Sequence, residues 1–391
     1  MKISKYLNIS IFVLLFVSLF LLIPIKVEAV ATTRTVCPDP VGSCSPSDPL
    51  FKGAGGIILA IAASVDGDTV SIKNGTYSGF TQDVDGTGKY FIILTKNISI
   101  TGESTSGTIL SGAGTDKGTM LLIKNTGDSS ISNLSITGGQ NDCPGTPCSY
   151  GSGIHISATG TGTVSLNNLK IYSNVGEGIW SYYSSKTSIT ANTIYSNKNG
   201  VLIAGDSNLN IATTTIYNNA IGIWYYDNST GTVSNSTIRN NTSDSIMVDD
   251  SSVVVVNNNL IYSNASVGLR LWETSHTSGT GNTIYSNLYT GHASGVYCSQ
   301  SAVLGTWTNN NVWNNANGNY GSDPVGLCTD KTGSNGNISV DPQSLLNPAP
   351  TLPDTAIGDN SFLKIILSFL AICLGIIFLS RHFATISKED N

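Results

Sequence analysis

The chain has 391 residues and a net charge of −6, and only 11% of its residues are charged, against roughly 25% in an average globular protein. Glycine reaches 41 residues, yet Ile, Val, Thr and Tyr recur at fixed intervals, which excludes a disordered chain and points to an all-β one. The body carries no basic patch, which argues against nucleic acid as a partner.

Residues 1–29 read as a signal peptide. Lys2 and Lys5 precede an apolar run over 9–25, Pro24 breaks that run near its end, and Val27-Glu28-Ala29 supplies the small or aliphatic residues that a signal peptidase reads. Residues 30–50 are a mature N-terminal segment, and 51–345 form the body. Residues 346–361, with Pro348, Pro350 and Pro353, are a linker. The apolar segment 362–380 predicts a transmembrane helix, since about eighteen helical residues reach ~27 Å of a ~30 Å hydrocarbon core. Arg381 and Lys388 in the tail, 381–391, place that tail in the cytoplasm and the body on the extracellular side of the cell envelope.

Cysteine usage agrees with export. Six of the seven cysteines fall in the exported region as Cys37 and Cys44, Cys143 and Cys148, and Cys298 and Cys328, and an even set in an oxidising compartment predicts disulfides.

Within the body, Ile-Tyr-Ser-Asn begins at Ile171, Ile194, Ile261 and Ile284, with variants at Ile216, Ile238 and Val312. The successive spacings are 23, 22, 22, 23, 23 and 28 residues, so the chain is built of stacked units. A second strand follows in each unit, at Gly178-Ile179-Trp180, Gly200-Val201-Leu202, Gly222-Ile223-Trp224 and Gly268-Leu269-Arg270, and some units hold a third. No stretch has the periodicity of a crossover helix, and the unit is too short for a propeller blade. The expectation is a single-stranded right-handed parallel β-helix of roughly ten coils, three short strands to a coil. Asn174, Asn197, Asn219, Asn241, Asn264, Asn287 and Asn315 recur at one turn position, where Asn tolerates left-handed backbone and its amide can bond the next coil.

These repeats resemble the pectin-lyase-like superfamily of right-handed parallel β-helix proteins. So does the entry segment: Ile57-Ile58-Leu59-Ala60-Ile61-Ala62-Ala63, then Asp66-Gly67-Asp68-Thr69-Val70 and Gly75-Thr76-Tyr77. The resemblance spans about residues 50 to 345 and implies an N-terminal capping helix over the open end of the stack. Separately, Leu352-Pro353-Asp354-Thr355-Ala356, the apolar segment and Arg381 resemble a sortase cell-wall sorting signal, with Ala356 where that motif ends in Gly. This implies a sortase partner beside the plain membrane anchor.

Strand alternation predicts which side chains face outward. With Ile179 inward, Trp180 and Tyr182 face out, as do Trp224 and Tyr226, and Arg270 and Trp272, two and four coils on. A neighbouring outward column holds Tyr172, Tyr195, Tyr217, Arg239, Tyr262, Tyr285 and Trp313. Flat rings with polar neighbours suit the apolar faces and hydroxyl rims of sugars. Past the second strand lie Asp206, Asp227, Asp250 and Glu273, the last three spaced 23 apart. Carboxylates stacked so closely raise one another's pKa or recruit a cation. Asp227, Asp250 and Glu273 are therefore candidates both for catalysis on a glycosidic bond and as ligands of Ca²⁺.

The function expected is a surface-anchored protein that binds or adheres to polysaccharide through Trp180, Tyr182, Trp224, Tyr226, Arg270 and Trp272. The alternatives are a polysaccharide lyase or glycoside hydrolase acting on uronic-acid-type glycans, and a passive structural stalk.

Overall fold

A computed structural model describes the chain from residue 30 to residue 346, apart from residues 82, 86, 87, 115 and 142–150. The expected signal peptide, linker, membrane span and cytoplasmic tail, and Cys143 and Cys148, lie outside the described residues. Among those described, no helix is long and apolar enough to cross a membrane.

The unit ending at Asp341 is a parallel β-helix. A typical coil consists of Lys186–Thr190, Thr193–Tyr195 and Asn199–Ile203, and each strand pairs in parallel with its counterparts one coil before and after. Three sheets result. The first runs from Thr33–Val36 to Val303–Thr308, the second from Gly75–Tyr77 to Asn311–Trp313, and the third from Asp83–Asp85 to Tyr320–Asp323. The one antiparallel pairing among the described residues joins Asp83–Asp85 to Gly88–Leu94 at the start of the third sheet. The N-terminal segment belongs to the stack as well, because Thr33–Val36 supplies an edge strand paired to Thr69–Ile72. The separate unit beyond Asp341 contributes the short helix Pro342–Leu346 to the described residues.

The repeat works because each coil places an aliphatic side chain directly on that of the last. Ile171, Ile194, Ile216, Ile238, Ile261 and Ile284 pair in strict succession in the second sheet, and all are fully buried. Each such side chain contributes about 1.5–3 kcal/mol on leaving water. Larger inward residues are matched by missing ones. Tyr225 replaces an aliphatic residue and donates its hydroxyl to the Leu209 carbonyl at 2.8 Å, in space that a Cβ on Gly231 would invade. Trp307 is fitted against Gly279 in the same way.

Two polar ladders hold the turns. At the turn after the second sheet, the Asn174 amide donates to Asn197 Oδ1 at 2.9 Å, and the pattern continues through Asn219, Asn241, Asn264, Asn287 and Asn315. The left-handed backbone expected at these Asn residues belongs instead to the residue before each of them, including Ser173, Ser196, Asn218, Asn240 and Ser263. The division follows from geometry: the ladder amide points into the stack, so its neighbour takes the turn.

The expected cap is present as helix α1, Gly53–Ala63, which buries Ala54, Ile57, Ala60 and Ile61 over the end of the stack. Lys96 Nζ closes its C-terminus by donating to the carbonyls of Ile61, Ala62 and Ser64 at 3.0, 2.5 and 2.6 Å. The Ile61 carbonyl also accepts from the Ser64 N–H at 3.2 Å, and a cation there meets the negative end of the helix dipole.

Candidate functional site

The outward face of the third sheet holds the sequence-predicted ring residues in two columns. The first is continuous in register: His155, Trp180, Leu202, Trp224, Met247, Arg270 and Tyr297. The second is formed by the residue just past each strand, whose N–H reaches back one coil. It carries Tyr182, Ala204, Tyr226, Asp249 and Trp272 in successive coils. Trp180 and Trp224 thus stand in the first column and Trp272 in the second.

The columns differ in what covers the rings. Trp180 stacks on His155 with centroids 4.3 Å apart and planes 8° apart, so one of its faces is occupied. In the second column short residues intervene: Ala204 between Tyr182 and Tyr226, and Asp249 between Tyr226 and Trp272. Tyr182 lies tilted 35° to Trp180 at 5.8 Å and 57° to Tyr183 at 4.0 Å, and Tyr226 meets Trp224 edge-on at 5.6 Å, within their own coils. Tyr226 is exposed.

The tyrosine column of the second sheet behaves otherwise. Tyr172, Tyr195 and Tyr217 stack at 5.1 and 4.9 Å with planes within 6° of parallel, Arg239 lies over Tyr217 at 4.6 Å, and Tyr262 stacks on Tyr285 at 5.1 Å. These rings spend their faces on one another.

At the turn after the second column, Gly205, Asp227, Asp250 and Glu273 all adopt left-handed backbone. Asp227 Oδ2 accepts from the Gly205 N–H at 2.9 Å, and Asp250 Oδ2 accepts from the Asp227 N–H at 3.2 Å. The acids therefore lock consecutive turns. Asp206 departs from the expected column and stands one residue on, beside Asn228, whose amide it accepts at 3.3 Å. The carboxylates that converge are those of Asp249, Asp250 and Glu273, with one oxygen from each lying within 4.8 Å of the others. Asp249 thus joins the group where Asp227 was expected. A hydrogen bond with Asp250 and burial raise the Glu273 pKa, and burial raises that of Asp249. Beside them, the negative charges of Asp250 and Asp227 push the Tyr226 hydroxyl up.

This donor set fits Ca²⁺, which takes carboxylate oxygens at 2.3–2.6 Å and so gathers ligands within about 5 Å of each other. It fits two-carboxylate glycoside hydrolysis poorly, because that chemistry needs carboxyls about 5 Å or more apart and this pair shares a hydrogen bond.

Arg270 is a fixed element of the face. Its guanidinium pairs with buried Asp244 at 2.9 Å and lies 5.6, 5.3 and 6.0 Å from the rings of Trp272, Tyr289 and Tyr297. It holds Trp272 in place. At the other end of the first column, buried His155 hydrogen-bonds Tyr90 through Nδ1 at 3.1 Å, and burial lowers its pKa to about 4.

Comparison with known proteins settles the family. The model of the right-handed β-helix region matches three overlapping stretches, residues 62–231, 119–287 and 185–339. The chain belongs to that family. No curated protein matches it. Among solved structures, the right-handed β-helix chain is similar to the Agl-KA catalytic domain, at 15% identity and a TM-score of 0.54, over 78% of this chain and 65% of that one. It is also similar to an alginate lyase from Paenibacillus sp. str. FPU-7, at 18% identity and a TM-score of 0.51, over 71% of this chain and 94% of that one. At such identities the likeness is one of fold.

The disulfides Cys37–Cys44 and Cys298–Cys328 are formed as expected.

Proposed function

We propose that this β-helix is an exported, envelope-displayed module that binds polysaccharide along its third sheet. Tyr182, Tyr226 and Trp272 are the stacking rings, and Trp180, Trp224 and Arg270 back them. The observation that carries this reading is the contrast between the faces: the rings of the second sheet cover one another, whereas this row is interrupted by Ala204 and Asp249. Rings that do not stack on one another along the column, beside carboxylates, offer a sugar both of the contacts it needs. A polysaccharide partner is in keeping with the alginate lyase whose fold the chain shares. The two disulfides support an oxidising compartment, and segment 362–380 is the anchor in this reading, with a sortase as the further partner if Leu352-Pro353-Asp354-Thr355-Ala356 is processed.

The test is retention of the full chain, held in detergent micelles, on a panel of immobilised glycans. The Tyr226→Ala, Trp272→Ala double variant should lose retention while keeping its β-sheet circular dichroism. Equal retention by both proteins on every glycan would remove the proposal.

A second reading has the convergence of Asp249, Asp250 and Glu273 in its favour. Ca²⁺ held there would reverse the local charge and admit an anionic chain, including the uronic-acid polymers on which a lyase acts.

A further inference from the structure

In the second column of the third sheet, rings alternate with ring-free positions. Tyr182, Tyr226 and Trp272 follow the strands Ile179–Ser181, Ile221–Tyr225 and Leu269–Leu271, and the coils between them place Ala204 and Asp249 in the same column. Ser157 and Ser299 flank the row at its two ends. Coils are separated by the strand spacing, so successive rings stand about 10 Å apart along the axis. That distance is close to the advance of an extended chain of equatorially linked pyranoses over two sugars. In such a chain each sugar is turned over relative to the last, so alternate sugars present the same face to one side.

Resting on the polysaccharide reading above, we infer that the row binds an extended, uncharged polysaccharide parallel to the β-helix axis, with every second sugar stacked on a ring. Ala204 and Asp249 lie opposite the intervening sugars, where a ring would collide with the turned-over face. The charge of the row selects against anionic chains. Asp227, Asp250 and Glu273 occupy the turn that borders it, and their negative charges repel a polyuronate in the absence of a cation. A row of three rings spans five sugars.

The register is tested by titrating the full chain in detergent micelles, in a chelating buffer, with cello-oligosaccharides of two to six glucoses. Affinity should rise in steps at three and at five sugars, about five- to tenfold each, with little gain at four or six. Malto-oligosaccharides, whose chain coils, and oligogalacturonates should bind at least tenfold more weakly. The Tyr182→Ala variant should keep the step at three sugars and lose the one at five. A smooth rise with length, or equal binding of malto-oligosaccharides, would overturn the register and leave glycan binding standing. Binding that is undetectable for every oligomer and unchanged on the glycan panel by loss of Tyr226 and Trp272 would overturn both.

Discussion

Tyr182 and Tyr226 occupy one outward column of the third sheet two coils apart, with the methyl group of Ala204 between them. Tyr195 and Tyr217, in the second sheet, are one coil apart and stacked at 4.9 Å. The same residue type therefore serves two ends. Tyr195→Ala with Tyr217→Ala should leave glycan retention unchanged and lower stability by about 1–2 kcal/mol, the worth of a few cross-strand aromatic pairs. Tyr226→Ala with Trp272→Ala should do the reverse. Chemical denaturation and glycan retention on the wild type and the two double variants distinguish the roles.

The Asn ladder should be unforgiving. Asn219 Oδ1 accepts both the backbone and side-chain N–H groups of Asn197, at 3.0 and 3.2 Å, and its own amide reaches Asn241 at 3.2 Å. Asn219→Ala leaves buried donors without an acceptor and should cost about 2–4 kcal/mol in denaturant unfolding. By contrast, Ser196 takes the left-handed backbone beside it, and Ser196→Gly should stabilise by up to about 1 kcal/mol.

The stack itself was legible in the spacing of Ile-Tyr-Ser-Asn, and Ile194, Ile216 and Ile238 do lie one above another. A second buried ladder escaped notice. Asn192, Thr214, Ser236, Asn259, Asn282, Asn310 and Asn337 bond in succession, and the residue type changes from coil to coil while the spacing holds. A search for any side chain with an oxygen at a period of 22 to 28 would have found it. The candidate site was legible by column but less so by partner. Alternation placed Tyr182, Tyr226 and Trp272 outward, whereas the stacking of Trp180 on His155 depends on side-chain torsions that spacing does not encode. Asp227 was grouped with Asp250 by period, yet Asp249, adjacent in the chain, turns its carboxylate to Asp250 and Glu273.

Calcium provides a separate test of that trio. If Asp249, Asp250 and Glu273 bind Ca²⁺ in the folded state alone, calcium at a hundred times its Kd should stabilise the protein by about 2.7 kcal/mol. Glu273→Gln should remove most of the gain. A thermal midpoint that is equal in calcium and in chelator would exclude the site, and with it the reading that admits uronic-acid polymers.

His155 gives the fold a defined acid response. Burial lowers its pKa from 6.5 to about 4, with Asp85 opposing the shift and Lys124 adding to it. Between those values the unfolded chain holds a proton that the folded chain does not, so unfolding gains protons and stability falls as the pH falls. The contribution is fully present above pH 6.5, declines toward pH 4 and amounts to about 3 kcal/mol for a shift of this size. His155→Phe keeps a ring against Trp180, at the expense of the 3.1 Å hydrogen bond with Tyr90, and removes the titration. Urea unfolding at pH 4, 5, 6 and 7 should show a slope in the wild type that is much reduced in His155→Phe. Parallel profiles for the two proteins would mean that His155 is protonated in the fold as readily as in the open chain.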